Sequence, residues 1–138
     1  MAGADAPFRV PVLLDQANSF FWTSGRDGRL RFLRCRACGY FLHPPGPRCP
    51  RCGGSSLGPE AVSGRGSIYS YTVNHQPWMG DAEPYVVAVV EMAEQEGLRL
   101  TTNIVGCPVE EVAIGQEVQV TFEHHDPVWV PVFERLTP

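Results

Sequence analysis

Cys35-Arg36-Ala37-Cys38-Gly39 and Cys49-Pro50-Arg51-Cys52-Gly53 decide how this chain is read. Two Cys-x-x-Cys pairs with ten residues between them have the spacing of a tetrahedral metal site. Cysteines two residues apart reach one ion from a single tight turn. The glycine after each second cysteine permits a positive φ, which lets backbone amides point at the sulfurs. Pro44, Pro45, Pro47 and Pro50 stiffen the connection between the pairs. Zinc, one ion per chain, is the expected occupant of Cys35, Cys38, Cys49 and Cys52; iron, which rubredoxin-type knuckles also take, is the alternative. Four protein ligands leave no open position, so the site is structural rather than catalytic.

Working outward, the chain has 138 residues, of which 43% are hydrophobic, enough for one ordinary domain or two very small ones. Its 14 glycines and 13 prolines favour short strands and turns over a helical bundle. No run is long and apolar enough to span a membrane, and no basic-then-apolar leader opens the chain, so no membrane association is expected. Four of five cysteines in metal spacing fit a reducing, cytoplasmic setting. Cys107, the fifth, reads as a small buried hydrophobe.

The net charge of −4 conceals an asymmetry. There is no lysine, and eight of the eleven arginines lie between Arg26 and Arg65, beside only Asp27 and Glu60. A basic N-terminal segment therefore joins an acidic C-terminal one. Arginine suits planar anions such as phosphate and carboxylate. Arg34, Arg36, Arg48 and Arg51 flank the knuckles and are candidates for binding phosphate or another anion; equally, they offset a doubly negative thiolate site.

Before the knuckles, Leu13, Leu14, Ala17, Phe20 and Phe21 follow helical spacing, with Pro11 at the start and Gly25 just past the end. The aromatic run Phe20-Phe21-Trp22 wraps around more than one face, which marks those residues as candidate partner contacts. Asp27-Gly28 is a turn signal, and Arg29 to Arg34 alternates as a strand entering the first knuckle. Leu57 to Ser63, with Pro59, reads as a connecting segment. From Gly64 the texture becomes β-rich, with strands expected at Gly66 to His75, Tyr85 to Met92, Leu98 to Val105, Glu117 to Glu123 and Val128 to Phe133. The second is nearly all apolar and is expected to be covered on both faces; Pro131 places the last at an edge or bulge. Residues 108–114 form at most one helical turn. Five strands with that one interruption fit a Greek-key OB barrel, whereas a sandwich needs about seven. The expected fold is mostly β: an N-terminal helix and rubredoxin-like zinc ribbon over residues 1–63, then a five-stranded OB-fold barrel over 64–138. In the loop between the first two barrel strands, Trp78 and Met79 are further candidate partner contacts.

Helix, four-cysteine ribbon and five-stranded barrel, in this order, resemble the zinc-ribbon/OB-fold proteins grouped as domain of unknown function family 35. The residues that carry the likeness are Phe21-Trp22, Leu33 to Gly39, His43-Pro44-Pro45, Cys49 to Cys52, Gly64 to Val73, Pro84 to Val87 and Thr102 to Gly106. The resemblance implies a link to acyl-CoA chemistry, as a non-catalytic subunit beside thiolase-fold enzymes. Such enzymes include an acetyltransferase of phloroglucinol biosynthesis, archaeal thiolase/hydroxymethylglutaryl-CoA synthase assemblies, and the lipid-transfer-protein-like aldolase of steroid side-chain degradation. The expected role is thus an accessory subunit of a hetero-oligomeric acyl-CoA complex, a retro-aldol lyase first and a thiolase or acyltransferase second. Ribbon and helix would dock on the catalytic subunit, the barrel would shape the acyl/CoA channel, and Arg34, Arg36, Arg48 and Arg51 would face CoA phosphates.

The residues themselves offer little catalytic machinery. Cys107 has no activating neighbour in sequence, and no nucleophile-elbow, phosphate-loop or His-Glu metal motif occurs. His124-His125-Asp126 reads as a solvated turn, since adjacent strand residues point to opposite faces. A single-stranded nucleic-acid-binding OB protein, with Tyr69 and Tyr71 as stacking platforms, is the alternative reading. The acidic barrel and the absence of lysine stand against it.

Overall fold

The computed structural model describes residues 14–76 and 83–136. The loop candidates Trp78 and Met79 lie outside the described residues. A short helix α1, Ser19–Thr23, runs into a 3-10 turn at Ser24–Asp27 that ends on Gly28 at φ +80°. Pro11 and Leu13, where the helical spacing starts, lie outside the described residues; from residue 14 onward the helix begins only at Ser19. The Asp15 carboxylate accepts the amides of Ala17 and Asn18 at 2.8 and 2.9 Å, closing a side-chain turn where helix was expected. The helix ends at Ser24, its C-cap, as expected, but Gly25 follows without a left-handed φ and lies within the 3-10 turn, where the backbone passes against β-strand side chains. A methyl there would run into the Phe122 ring and sit 2.8 Å from Trp129 Cβ.

The ribbon is a three-stranded sheet: β1 Arg31–Cys35 in the centre, β2 Phe41–Leu42 on one side and β3 Leu57–Ala61 on the other. β3 was expected as a connection only. It pairs with β1 along its full length, from Arg31↔Ala61 to Cys35↔Leu57. At the sheet edge, Pro59 lacks an amide that no neighbouring strand requires.

The barrel strands are β4 Arg65–Asn74, β5 Tyr85–Met92, β6 Arg99–Val105, β7 Glu117–His125 and β8 Val128–Arg135. They close in the order β4-β5-β6-β8-β7, with β7 pairing back to β4. The β6–β8 contact is parallel and brief, Ile104↔Phe133 and Val105↔Glu134. The first half of β8 therefore pairs on one side only, and there Pro131 is tolerated; its carbonyl accepts the Thr102 hydroxyl at 2.9 Å. One 3-10 turn, Val109–Glu111, interrupts the strands between β6 and β7. β5 is not covered equally on both faces: Val86, Ala88, Val90 and Met92 are buried, and the alternate residues are half-buried or exposed.

One apolar cluster runs through both modules. Phe21 of α1, Leu30, Phe32 and Phe41 of the ribbon, and Ile68, Val90, Met92, Leu98, Val118 and Phe133 of the barrel belong to it. His43 is clasped in its ribbon part, with ring centroids 4.9 Å from Phe21 and 5.0 Å from Phe32. Burial lowers its pKa from the ordinary 6.5 to about 4.

Two predictions follow from this packing. Gly25→Ala should destabilise the chain by about 1–3 kcal/mol through overpacking against Phe122 and Trp129, measured by chemical denaturation. His43 is neutral in the folded chain but takes up a proton when unfolded. Its contribution to stability is therefore complete above pH 6.5 and is lost as pH falls towards about 4. His43→Phe should keep the ring packing and lose less stability than wild type between those pH values.

Candidate metal centre

Each knuckle is built by short backbone bonds. The Gly39 amide donates to the Cys35 carbonyl and the Gly53 amide to the Cys49 carbonyl, both at 2.8 Å. Gly39 and Gly53 take φ +81° and +77°, the left-handed values that favour glycine after each second cysteine. The turns bring the sulfurs of Cys35, Cys38, Cys49 and Cys52 within 4.8 Å of one another. Cys35 and Cys52 are 3.6 Å apart, as are Cys38 and Cys49. A tetrahedral ion with Zn–S bonds of about 2.3 Å requires sulfur–sulfur edges of about 3.8 Å. The four thiols thus fit a structural zinc of the ribbon type, and nothing in their arrangement points specifically to iron.

The electrostatics suit the same group. The Cys38 amide holds the Cys35 thiol down to about 7, against its burial and with help from the Ala37 amide. Burial opposes ionisation of Cys49, but the amides of Cys52 and Arg51 outweigh it and lower the thiol. At Cys52 the Gly54 amide pulls downward, yet the sulfurs of Cys35 and Cys38 prevail and push the thiol up to about 11. Amide donors favour thiolates here, and the sulfurs resist one another's charge. A divalent cation removes that conflict.

The flanking arginines differ in how far the fold engages them. Arg34 donates to the Gly39 carbonyl at 2.8 Å, pairs with Glu60 at 2.6 Å and covers the Phe41 ring at 4.5 Å. Arg36 lies across Gly58, where a Cβ would collide with its guanidinium. Arg48 reaches the Gly53 carbonyl at 3.2 Å, and Arg51 lies 5.9 Å over the Tyr40 ring; both are exposed. Of the aromatic run, Phe21 is 2% exposed and belongs to the core, with Phe20 and Trp22 packed against it. Phe21, Trp22, His43, Pro44, Pro45 and Leu100 line an open groove of about 420 Å³. Cys107 is half-buried against the core. His124 and His125 engage different neighbours: His124 stacks on Trp129 at 3.9 Å, and His125 faces Glu123 at 3.6 Å. Glu60 and Tyr40, which position two of the knuckle arginines, carry no sequence signal that singles them out. No metal-ligating cluster other than the four cysteines occurs among the described residues.

Residues 22–58 match the family described as "ChsH2, rubredoxin-like zinc ribbon domain", and residues 59–123 match "ChsH2, C-terminal OB-fold domain". A chain of the solved structure "Ltp2-ChsH2(DUF35) aldolase" is 38% identical and superposes with a TM-score of 0.80 over 91% of this chain and 98% of that one. The "Benzoylsuccinyl-CoA thiolase subunit BbsA" of Thauera aromatica is 32% identical over 75% of this chain and 67% of its own length. The "Probable enoyl-CoA hydratase alpha subunit" of Thermomonospora curvata is 39% identical over 91% of this chain. This chain spans only 39% of that relative's length. The protein belongs to the DUF35 family of zinc-ribbon/OB-fold chains.

A fourfold thiolate site and a ribbon with little core of its own predict that the metal is needed for folding. Cys35→Ser or Cys52→Ser should lose bound zinc and native circular dichroism together. A folded, metal-free mutant defective only in a chemical step would contradict a structural role.

Proposed function

We infer that this chain is a non-catalytic accessory subunit of a hetero-oligomeric complex built around a thiolase-fold, acyl-CoA-processing enzyme. The observation that carries this reading is the likeness, over nearly the whole chain, to the DUF35 chain of an aldolase assembly. The chain's own side chains support it. Its only cluster of metal-ligating side chains among the described residues is the four knuckle thiols, and a four-ligand site has no position left for substrate. One zinc per chain holds the ribbon.

The reaction of the complex is carbon–carbon bond cleavage, with retro-aldol chemistry on a branched acyl-CoA, such as a steroid side chain, as the first assignment. The thiolase subunit among the relatives favours Claisen-type thiolase or acyltransferase chemistry as the second. In both, ribbon and α1 dock on the catalytic subunit, and the barrel supports the acyl/CoA channel. Arg36, Arg48 and Arg51 are the better candidates for CoA phosphates, since Arg34 is held by Glu60, Gly39 and Phe41. Phe20 and Trp22, rather than the buried Phe21, offer apolar surface to the partner.

Co-expression with a thiolase-fold enzyme encoded beside it tests this assignment. The two chains should co-elute in size-exclusion chromatography, with acyl-CoA turnover only in the mixture. Turnover by this chain alone, or full activity of the enzyme without it, would refute the role. Salt-sensitive, micromolar binding to single-stranded nucleic acid would favour the OB-fold alternative instead.

A further inference from the structure

The turn between β5 and β6 carries a side chain that the accessory-subunit reading does not use. Gln95 Oε1 accepts the Phe41 amide at 2.9 Å, and Gln95 Nε2 donates to the Phe41 carbonyl at 2.9 Å. Two facing residues of an antiparallel ladder make this double exchange through their backbones. Here one side chain makes it, between residues 54 apart in sequence and between ribbon and barrel.

Phe41 is where the first knuckle hands the chain to β2. The Cys35 amide donates to the Tyr40 carbonyl at 2.8 Å, and Arg34 pairs with Phe41 across the ribbon. The Arg34 guanidinium ties the Gly39 carbonyl to the Phe41 ring. The knuckle therefore sets the position of the Phe41 peptide groups, and the knuckle is set by what its sulfurs bind. At the other end, the Met92 amide donates to the Leu98 carbonyl at 2.8 Å and the Leu98 amide to the Gln95 carbonyl at 3.1 Å. Met92 and Leu98 are both buried in the shared core. The turn closes through its own backbone, so closure does not account for a glutamine at position 95; the bond to Phe41 does.

We propose that Gln95 is a positioning residue that locks the β5–β6 hairpin to the metal-loaded first knuckle, so that metal occupancy sets the order of that end of the barrel. The proposal rests on zinc occupying the four-cysteine site. Linkage makes the effect reciprocal: if metal stabilises the turn, the turn stabilises metal.

The test uses the full chain, loaded with zinc, with two readouts: zinc affinity by chromogenic chelator competition, and hydrogen exchange at the Phe41 and Leu98 amides. Loss of two hydrogen bonds in Gln95→Leu should weaken zinc about tenfold and speed exchange at both amides. Gln95→Glu keeps an acceptor for the Phe41 amide but loses the donor, and should fall between; it also carries the comparison if the leucine variant does not fold. Glu96→Gln, in the same turn, should match wild type. A folded position-95 variant with wild-type zinc affinity overturns the coupling, even if its turn exchanges faster. Wild-type protein that binds no zinc would instead refute the metal centre, and the coupling with it.

Discussion

Four sulfurs within 4.8 Å of one another are the constraint on which the structure depends. The amides of Cys38 and Ala37 favour a thiolate at Cys35, and those of Cys52 and Arg51 favour one at Cys49. Fully ionised and alone, the cluster would be a concentrated negative charge. With a dication it becomes a cross-link between two turns that the sequence separates by a proline-rich connection. The ribbon needs that cross-link because its strands are short: β2 has two residues, and β1 and β3 have five each. A module of that size cannot bury enough apolar surface to order itself.

The ribbon does not stand alone, however. Phe32 and Leu30 are fully buried in the same cluster as Val90, Val118 and Phe133 of the barrel. Phe21 fills the junction from the helix side, and Gly25 allows the 3-10 turn to lie flat on Phe122 and Trp129. Metal and shared core thus support one another. The aromatic run that suggested a docking face is largely the seam of the molecule itself. What it leaves uncovered is the half-buried flank of Phe20 and Trp22, beside the groove at Pro44 and Pro45.

Sequence spacing carried the features that repeat or cluster locally. The knuckles follow from cysteine spacing, and the five barrel strands from alternation and β-branched runs; β4 to β8 begin within a residue of where they were expected. Features created by pairing at a distance left no such mark. β3 contains Gly58 and Pro59, poor strand formers, and is a strand because β1 pairs with it and Arg36 needs the open surface over Gly58. Between residues 14 and 18 the helical spacing is outcompeted by the Asp15 carboxylate, which takes the amides of Ala17 and Asn18. Gln95 lies in what reads as an ordinary acidic turn, and nothing in its neighbourhood announces a bond to Phe41. Arg34 shows the limit in another way: its position beside a cysteine was visible, but its engagement with Glu60 depends on β3.

Ribbon, helix and barrel form one body through the shared core, and the accessory role we propose depends on that unity. Equilibrium unfolding of the zinc-loaded chain in denaturant tests it most directly, with zinc release followed by a chromogenic chelator and barrel structure by far-ultraviolet circular dichroism. Shared core and metal together predict a single transition in which both signals change at the same denaturant concentration. Zinc released in an early transition, with the barrel signal intact until a later one, would contradict it.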